Sequence, residues 1–226
     1  MNNFLLSLFF LLTISSCRTT TVAQQTYRYV SLGDSYTIGT GANPEESYPV
    51  LLTKHLKENN IKIDLIANPS VNGRTTQGVI NFELPQLDTS KATFVTLLIG
   101  VNDWVIGTDA ETFQNRLIYI IDHIEAQLPD KNKLVLITVP DFGVTPASGN
   151  YSRGRDVSKG LAEFNTIILS EAKKRNLKTV DLFEISKKMV ANSGLVAPDG
   201  LHPSAKEYAV WEMVIYPVVY DLLVNK

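Results

Sequence analysis

Two short stretches limit the possible folds more than anything else in the chain. FVTLLIG, at 94–100, and LVLITV, at 134–139, are apolar almost without interruption. A strand with one face in water alternates polar and apolar residues, whereas a short continuous apolar run suits a strand covered on both faces. With related runs elsewhere, five strands are expected: Tyr29–Leu32, Ile61–Ala67, Thr93–Ile99, Lys133–Val139 and Lys178–Leu182.

Amphipathic stretches fill the intervals. In TDAETFQNRLIYIIDHIEAQLP, residues Phe113, Leu117, Ile120, Ile121, Ile124 and Leu128 recur at helical spacing, and Thr108 with Glu111 matches a capping box. Val157–Arg175 carries Leu161, Phe164, Ile168 and Leu169 along one side. SYPVLLTKHLKENN offers Ser47 as a cap and Pro49 in its first turn, where a missing N–H costs nothing. A last helix is expected from Ser204, with Glu207 completing a second capping box and Pro217 kinking or restarting it. Strands alternating with helices predict an α/β domain of three layers, α/β/α, around a central, mainly parallel, five-stranded sheet. One long irregular segment remains, Pro140–Asp156, and loops of that length are uncommon unless functional.

The amino-terminal segment reads differently. NFLLSLFFLLTISSC holds an apolar run too short for the ~20 residues that span a bilayer, so residues 1–16 are read as a secretory signal. Its end, Ile14-Ser15-Ser16-Cys17, resembles a bacterial lipobox, which makes Cys17 a candidate for lipidation and implies an exported, membrane-anchored lipoprotein. No Lys or Arg precedes the apolar run, which departs from that pattern. Residues 17–26 are read as a tether and 27–226 as a single domain, a length that supports one sizeable core. Cys17 is the only cysteine, so no disulfide forms within the chain. The formal net charge of −2 and the lack of a basic stripe give no case for nucleic acid.

In open α/β sheets, ligands bind beyond the carboxyl ends of the strands. Distinctive polar clusters stand there. Gly33-Asp34-Ser35 follows the first strand, with Gly39 and Gly41 soon after; these glycines are expected to keep the serine uncovered. NPSVNGRTT, Asn68 to Thr76, follows the second strand, and Gly100-Val101-Asn102-Asp103 the third. PDGLHPS, with Asp199 and His202, precedes the last helix. In these four blocks the chain resembles the GDSL or SGNH family of serine esterases and lipases, whose name matches Ser35, Gly73, Asn102 and His202. The second block is most similar to the thioesterase/lysophospholipase and arylesterase branch, although Arg74 stands where an acidic residue is common there. Tyr36 replaces the leucine of the family's first motif, which implies a changed pocket and an unchanged mechanism.

Acyl transfer needs a nucleophile, a base and donors for a developing oxyanion. Ser35 at a strand-to-helix turn supplies the first. His202 is the best base of the three histidines, since His55 and His123 fall within helical patterns. Pro203 keeps His202 out of helical geometry, and Asp199 can accept from one imidazole nitrogen while the other faces Ser35. Asn102 can donate to an oxyanion; Asp103 would repel one and is expected to be structural. The backbone N–H groups of Gly73 and Ser35 complete the expected oxyanion hole. Trp104, Val105 and Ile106 are candidates for an acyl-pocket wall or for the core, and Arg74 for substrate contact or a surface salt bridge.

The implied activity is metal-independent and cofactor-free hydrolysis of short-to-medium acyl carboxylic esters or lysophospholipid-like substrates. Carbohydrate O-acetyl ester or thioester cleavage on the same fold is the alternative. A binding protein that has lost catalysis is a competing class, but it predicts loss of Ser35, Asn102 or His202, all of which are present. A dinucleotide site lacks the G-x-G-x-x-G spacing, and no histidine pair has the spacing of metal ligands.

Overall fold

The computed structural model of the protein describes residues 26–225. The expected signal segment, Cys17 and nearly all of the tether lie outside the described residues.

The chain runs β1 (Tyr27–Gly33), α1 (Ser35–Ile38), α2 (Tyr48–Glu58), β2 (Ile63–Ala67), α3 (Thr76–Gly78), α4 (Leu84–Ser90), β3 (Phe94–Leu98) and α5 (Val101–Ile106). It continues through α6 (Ala110–Gln127), β4 (Leu134–Ile137), α7 (Gly149–Ser152), α8 (Val157–Arg175), β5 (Lys178–Val180), α9 (Phe183–Ser186) and α10 (Ala205–Val224). The five strands form one sheet in the order β2-β1-β3-β4-β5, and every pair is parallel. All five expected strands are present, and β3 and β4 are buried at every position.

The strand order reverses beside β1. The chain leaves β1 for β2 on one side, then crosses back over β1 to reach β3. With right-handed crossovers this places α2 on one face and α4, α6 and α8 on the other. The contacts agree: α10 packs on α2, while α6 packs against both α4 and α8. The reversal opens a crevice between the carboxyl ends of β1 and β3, where such folds bind ligands. A ladder of buried hydroxyls pins these two strands together. Thr96 Oγ1 lies 2.7 Å from Tyr29 Oη and 2.9 Å from Ser31 Oγ, which in turn is 3.1 Å from Tyr48 Oη on α2.

Several local expectations are corrected. The helix expected from Thr108 begins at Ala110, capped by Asp109, whose carboxylate accepts from Thr112 N and Oγ1 at 2.8 Å each. The Thr108 N–H instead closes the preceding helix on Asp103 O. Ser47 and Ser204 make no side-chain cap: their hydroxyls donate to Pro44 O and Gly194 O. Glu207 turns inward to accept from Trp211 Nε1 at 2.7 Å. Helix α10 runs through Pro217 without restarting. Pro217 and Met213, the residue four earlier, are both exposed, so the carbonyl deprived of a partner faces water. Buried Ile215, Val219 and Leu222 hold the helix on both sides of the proline.

The helical stretch from Thr76 to Ser90 has no counterpart among the expected elements. Its two short α-helices are joined by a π-helical turn, Val79–Glu83. Gly78 and Pro85 interrupt the apolar period that would have marked a single helix.

Candidate active site

Ser35 opens α1 directly beyond β1. Asp34 caps the turn by accepting from Tyr36 N at 3.0 Å. The Ser35 carbonyl accepts from Gly39 N and Thr40 N, at 3.1 and 2.9 Å, so the turn closes tightly on itself. Ser35 is only 6% exposed. The glycines therefore do something other than clear space around it. A β-carbon on Gly41 would stand 2.4 Å from Pro203 O and 3.1 Å from His202 Cβ. Gly41 lets the segment after the serine pass against the histidine-bearing loop, at a φ of 99° that side chains rarely adopt.

The histidine loop is held by its own acid. Asp199 Oδ1 accepts from the N–H groups of Leu201 and His202, both at 2.9 Å. Asp199 Oδ2 lies 2.6 Å from His202 Nδ1. Burial alone would raise the Asp199 pKa, but the Leu201 N–H, both His202 donors and the His202 charge together hold it below the usual carboxylate value. An ionised carboxylate at Nδ1 fixes the tautomer and leaves Nε2 as the free nitrogen. Behind the loop, Ala197 N donates to His202 O at 2.8 Å.

Ser35 and His202 come from opposite ends of the chain and line one small cavity of about 50 Å³. Asn102 lines it too, on the first turn of α5 beyond β3. Its Nδ2 donates to Arg74 O at 3.0 Å, which sets the amide's rotation and leaves its second N–H unspent. Gly73 immediately precedes that carbonyl. It adopts a φ of 77°, and nothing lies within 4 Å of where a β-carbon would be. Asp103 faces away: it is fully buried and accepts from Thr76 N at 2.7 Å and Thr76 Oγ1 at 2.5 Å.

Of the residues considered for substrate contact, Val105 lines the cavity and Trp104, Ile106 and Arg74 lie elsewhere. Trp104 is 5% exposed and packed edge-on against Phe142, beneath the Arg155 guanidinium at 4.0 Å. Ile106 is exposed at the end of α5, outside the cavity lining. Arg74 turns away to pair its Nε with Glu83 Oε1 at 2.9 Å. The cavity wall is made by Tyr36, Val101, Val105, Phe142, Tyr151 and Leu201. Phe142 and Tyr151 come from the long segment 140–156, whose length was the signal. Tyr36 sits edge-on to both His202 and Trp211.

Beneath the rim lie three buried acids, Asp34, Glu83 and Asp103. Burial raises the pKa of each; Glu83 reaches about 7 despite its bonds to Gly33 N and Arg74. At Asp34, repulsion from Glu83 and Asp103 adds to the burial effect. Among the described residues, no group of three or more His, Cys, Asp or Glu side chains is placed to hold a metal ion.

Residues 31–210 match the model of the GDSL-like lipase/acylhydrolase family. A multidomain esterase of Ruminococcus flavefaciens is 31% identical over 114 residues, which is 50% of this chain and 14% of that protein. Among solved structures, the psychrotrophic esterase EstA from Pseudoalteromonas sp. is similar with a TM-score of 0.69 and 21% identity, over 88% of this chain and 100% of that one. A Clostridium thermocellum family 3 carbohydrate esterase gives a TM-score of 0.70 at 20% identity, over 88% of this chain and 98% of that one. At these identities the solved structures bear on the fold.

Proposed function

This chain belongs to the GDSL-like lipase/acylhydrolase family, and we propose that it is a carboxylic ester hydrolase working by the following mechanism. Ser35 Oγ attacks the ester carbonyl carbon while its proton passes to His202 Nε2. The carbonyl electron pair moves onto oxygen, where the N–H groups of Ser35 and Gly73 and the free N–H of Asn102 receive the charge. The oxyanion collapses, the C–O bond to the leaving group breaks, and His202 returns the proton to the departing alkoxide. Water, deprotonated by His202, then adds to the acyl carbon; the bond to Ser35 Oγ breaks, His202 returns the proton to Ser35 Oγ, and the carboxylic acid leaves. Asp199 stays ionised throughout and stabilises the imidazolium. The observation that carries this reading is that a His202 ring held at 2.6 Å by Asp199 shares one cavity with Ser35 and Asn102.

For the substrate, the cavity's small volume and its apolar wall favour the short end of a short-to-medium acyl range over lysophospholipid-like chains. The same smallness favours a second reading, removal of O-acetyl groups from carbohydrate, in which the acetyl enters the cavity and the sugar stays outside. The test is a panel of p-nitrophenyl esters of increasing chain length beside acetylated xylan and a lysophospholipid. Rates should be highest for acetate, and Ser35→Ala should lose turnover on every substrate. Wild-type rates in that variant would falsify the nucleophile assignment.

The address is a separate proposal. The lipobox-like run ending at Cys17 supports cleavage before Cys17, acylation of its sulfur and tethering of a domain spanning 27–226 to a membrane. Cells fed an alkyne-bearing fatty acid should label the protein, and Cys17→Ser should abolish the label; a soluble product beginning well past residue 17 would refute it.

A further inference from the structure

Arg74 and Glu83 have no part in the chemistry just described, yet they stand between its two halves. Glu83 is fully buried, and its two oxygens serve different elements. Oε2 accepts from Gly33 N at 3.0 Å, at the end of β1 and two residues before Ser35. Oε1 accepts from Arg74 Nε at 2.9 Å. The Arg74 carbonyl accepts from Asn102 Nδ2, and its backbone N follows directly on Gly73. One carboxylate thus joins the turn that presents the serine to the loop that carries Gly73 and orients the Asn102 amide.

The surroundings hold this link in place. The Arg74 stem lies against Gly78, where a β-carbon would come within 2.6 Å of Arg74 Cδ. The Phe82 ring lies 5.1 Å from the guanidinium carbon. Glu83 ends the π-helical turn, whose wider winding is a recurrent device for re-aiming a side chain at functional sites. A buried ion pair is a poor means to stability, because desolvation offsets its attraction and apolar residues of similar volume often do better. Its specific contribution here is distance: both bonds must be made at once, which fixes the loop against the strand end.

We infer that Arg74 and Glu83 are positioning residues of the ester-hydrolysing site, setting where Gly73 and Asn102 stand relative to Ser35. The inference rests on the proposed roles of those three residues. Glu83→Gln keeps the shape but offers one acceptor oxygen where two donors call. Arg74→Met removes the guanidinium and keeps the stem. Each should lower kcat on p-nitrophenyl acetate by about 10- to 100-fold, less than the ~10²–10³ expected for losing a donor outright, with KM within about threefold. Because the pair acts as one unit, the double variant should be no worse than the poorer single one. Arg74→Lys, which keeps the charge without the Nε geometry, should fall between Arg74→Met and wild type.

Rates are normalised to sites titrated with a fluorophosphonate, so that misfolded protein does not count. If Arg74→Met fails to fold, Arg74→Lys and Glu83→Gln carry the same comparison. A normalised kcat within twofold of wild type, losses that multiply in the double variant, or a KM that rises in step with the fall in kcat would each overturn the inference. Activity surviving in Ser35→Ala would instead remove the mechanism beneath it, a separate result.

Discussion

The two sides of the cavity are built in different ways. On the side of β1, β3 and the histidine loop, carboxylates hold the backbone and side chains in place: buried Asp34 caps the serine turn, buried Asp103 takes two bonds from Thr76, and the more exposed Asp199 takes three from its own loop. On the side of segment 140–156, buried Asp141 anchors the start, its N–H donating to Ser186 Oγ at 2.7 Å and its carboxylate accepting from Ser158 Oγ at 2.9 Å, and beyond it rings form the lining. Phe142 meets Tyr151 edge-on, and the segment is fastened by Arg155 donating to Val105 O at 3.0 Å and Arg153 donating to Ile106 O at 3.4 Å, both exposed. One inner bond, Ala147 N to Gly200 O at 2.9 Å, ties it to the histidine loop. Buried, multiply bonded groups tolerate little displacement, whereas exposed arginine contacts contribute about 1 kcal/mol or less and give way easily. The first side is suited to holding a transition state, and the second to choosing what enters.

Substitutions on the two sides should therefore fail in different currencies. The largest effect is expected at Asp199. Asp199→Asn replaces an ionised acceptor and invites the wrong imidazole tautomer, and kcat should fall by about 10³–10⁴ with KM little changed. Asn102→Ala removes one proposed oxyanion donor and also the bond to Arg74 O, for an expected loss of about 10²–10³ in kcat. If either variant raised KM and spared kcat, the contrast between the two sides would break. Tyr151→Ala should do the reverse. Enlarging the wall should raise the kcat/KM ratio of p-nitrophenyl octanoate to acetate by about tenfold, while the acetate rate stays within a few-fold. Arg155→Ala, which loosens the wall without removing a ring, should move the same ratio in the same direction by less.

This contrast also explains what could be read in the sequence. The five strands were legible because continuous apolar runs have few other uses, and helix Val157–Arg175 lies where its spacing placed it. Ser35, Asn102 and His202 were legible because each stands in a compact block at a strand end or helix entry. Of the cavity wall, Val105 was a candidate and the inward-pointing rings were not. Phe142 and Tyr151 lie in an aperiodic segment, where neither spacing nor turn chemistry says which ring points inward. Trp104 and Ile106 stand beside Val105, and a short helix turns successive residues by about 100°, so only one of the three faces the cavity. Arg74 does form the salt bridge considered for it, but with a buried acid and not at the surface. Its buried partner, Glu83, sits in a π-helical turn that no periodicity announces.

A buried acid outside the cavity lining gives the mildest test of the claim that partners decide how tightly a site is held. Glu207 on α10 is fully buried, with Oε1 taken by Trp211 Nε1 and Oε2 left without a partner. Burial raises its pKa from 4.5 to about 7, against the Trp211 bond and the Lys188 charge, which lower it. Between those two values the folded protein binds the proton that the unfolded chain has released, so stability falls as pH rises through that window and stays lower above it. Glu207→Gln imitates the neutral acid at every pH. It should match wild type at pH 5 and exceed it at pH 8 by about 1–3 kcal/mol, a rise of a few degrees in Tm. Trp211 supports Tyr36, so activity at pH 7 should change little as long as the neutral side chain keeps the indole in place. A Tm that follows the same course with pH in both proteins would mean that Glu207 reaches water, and that the interior behind Tyr36 is less closed than the side of the cavity it supports.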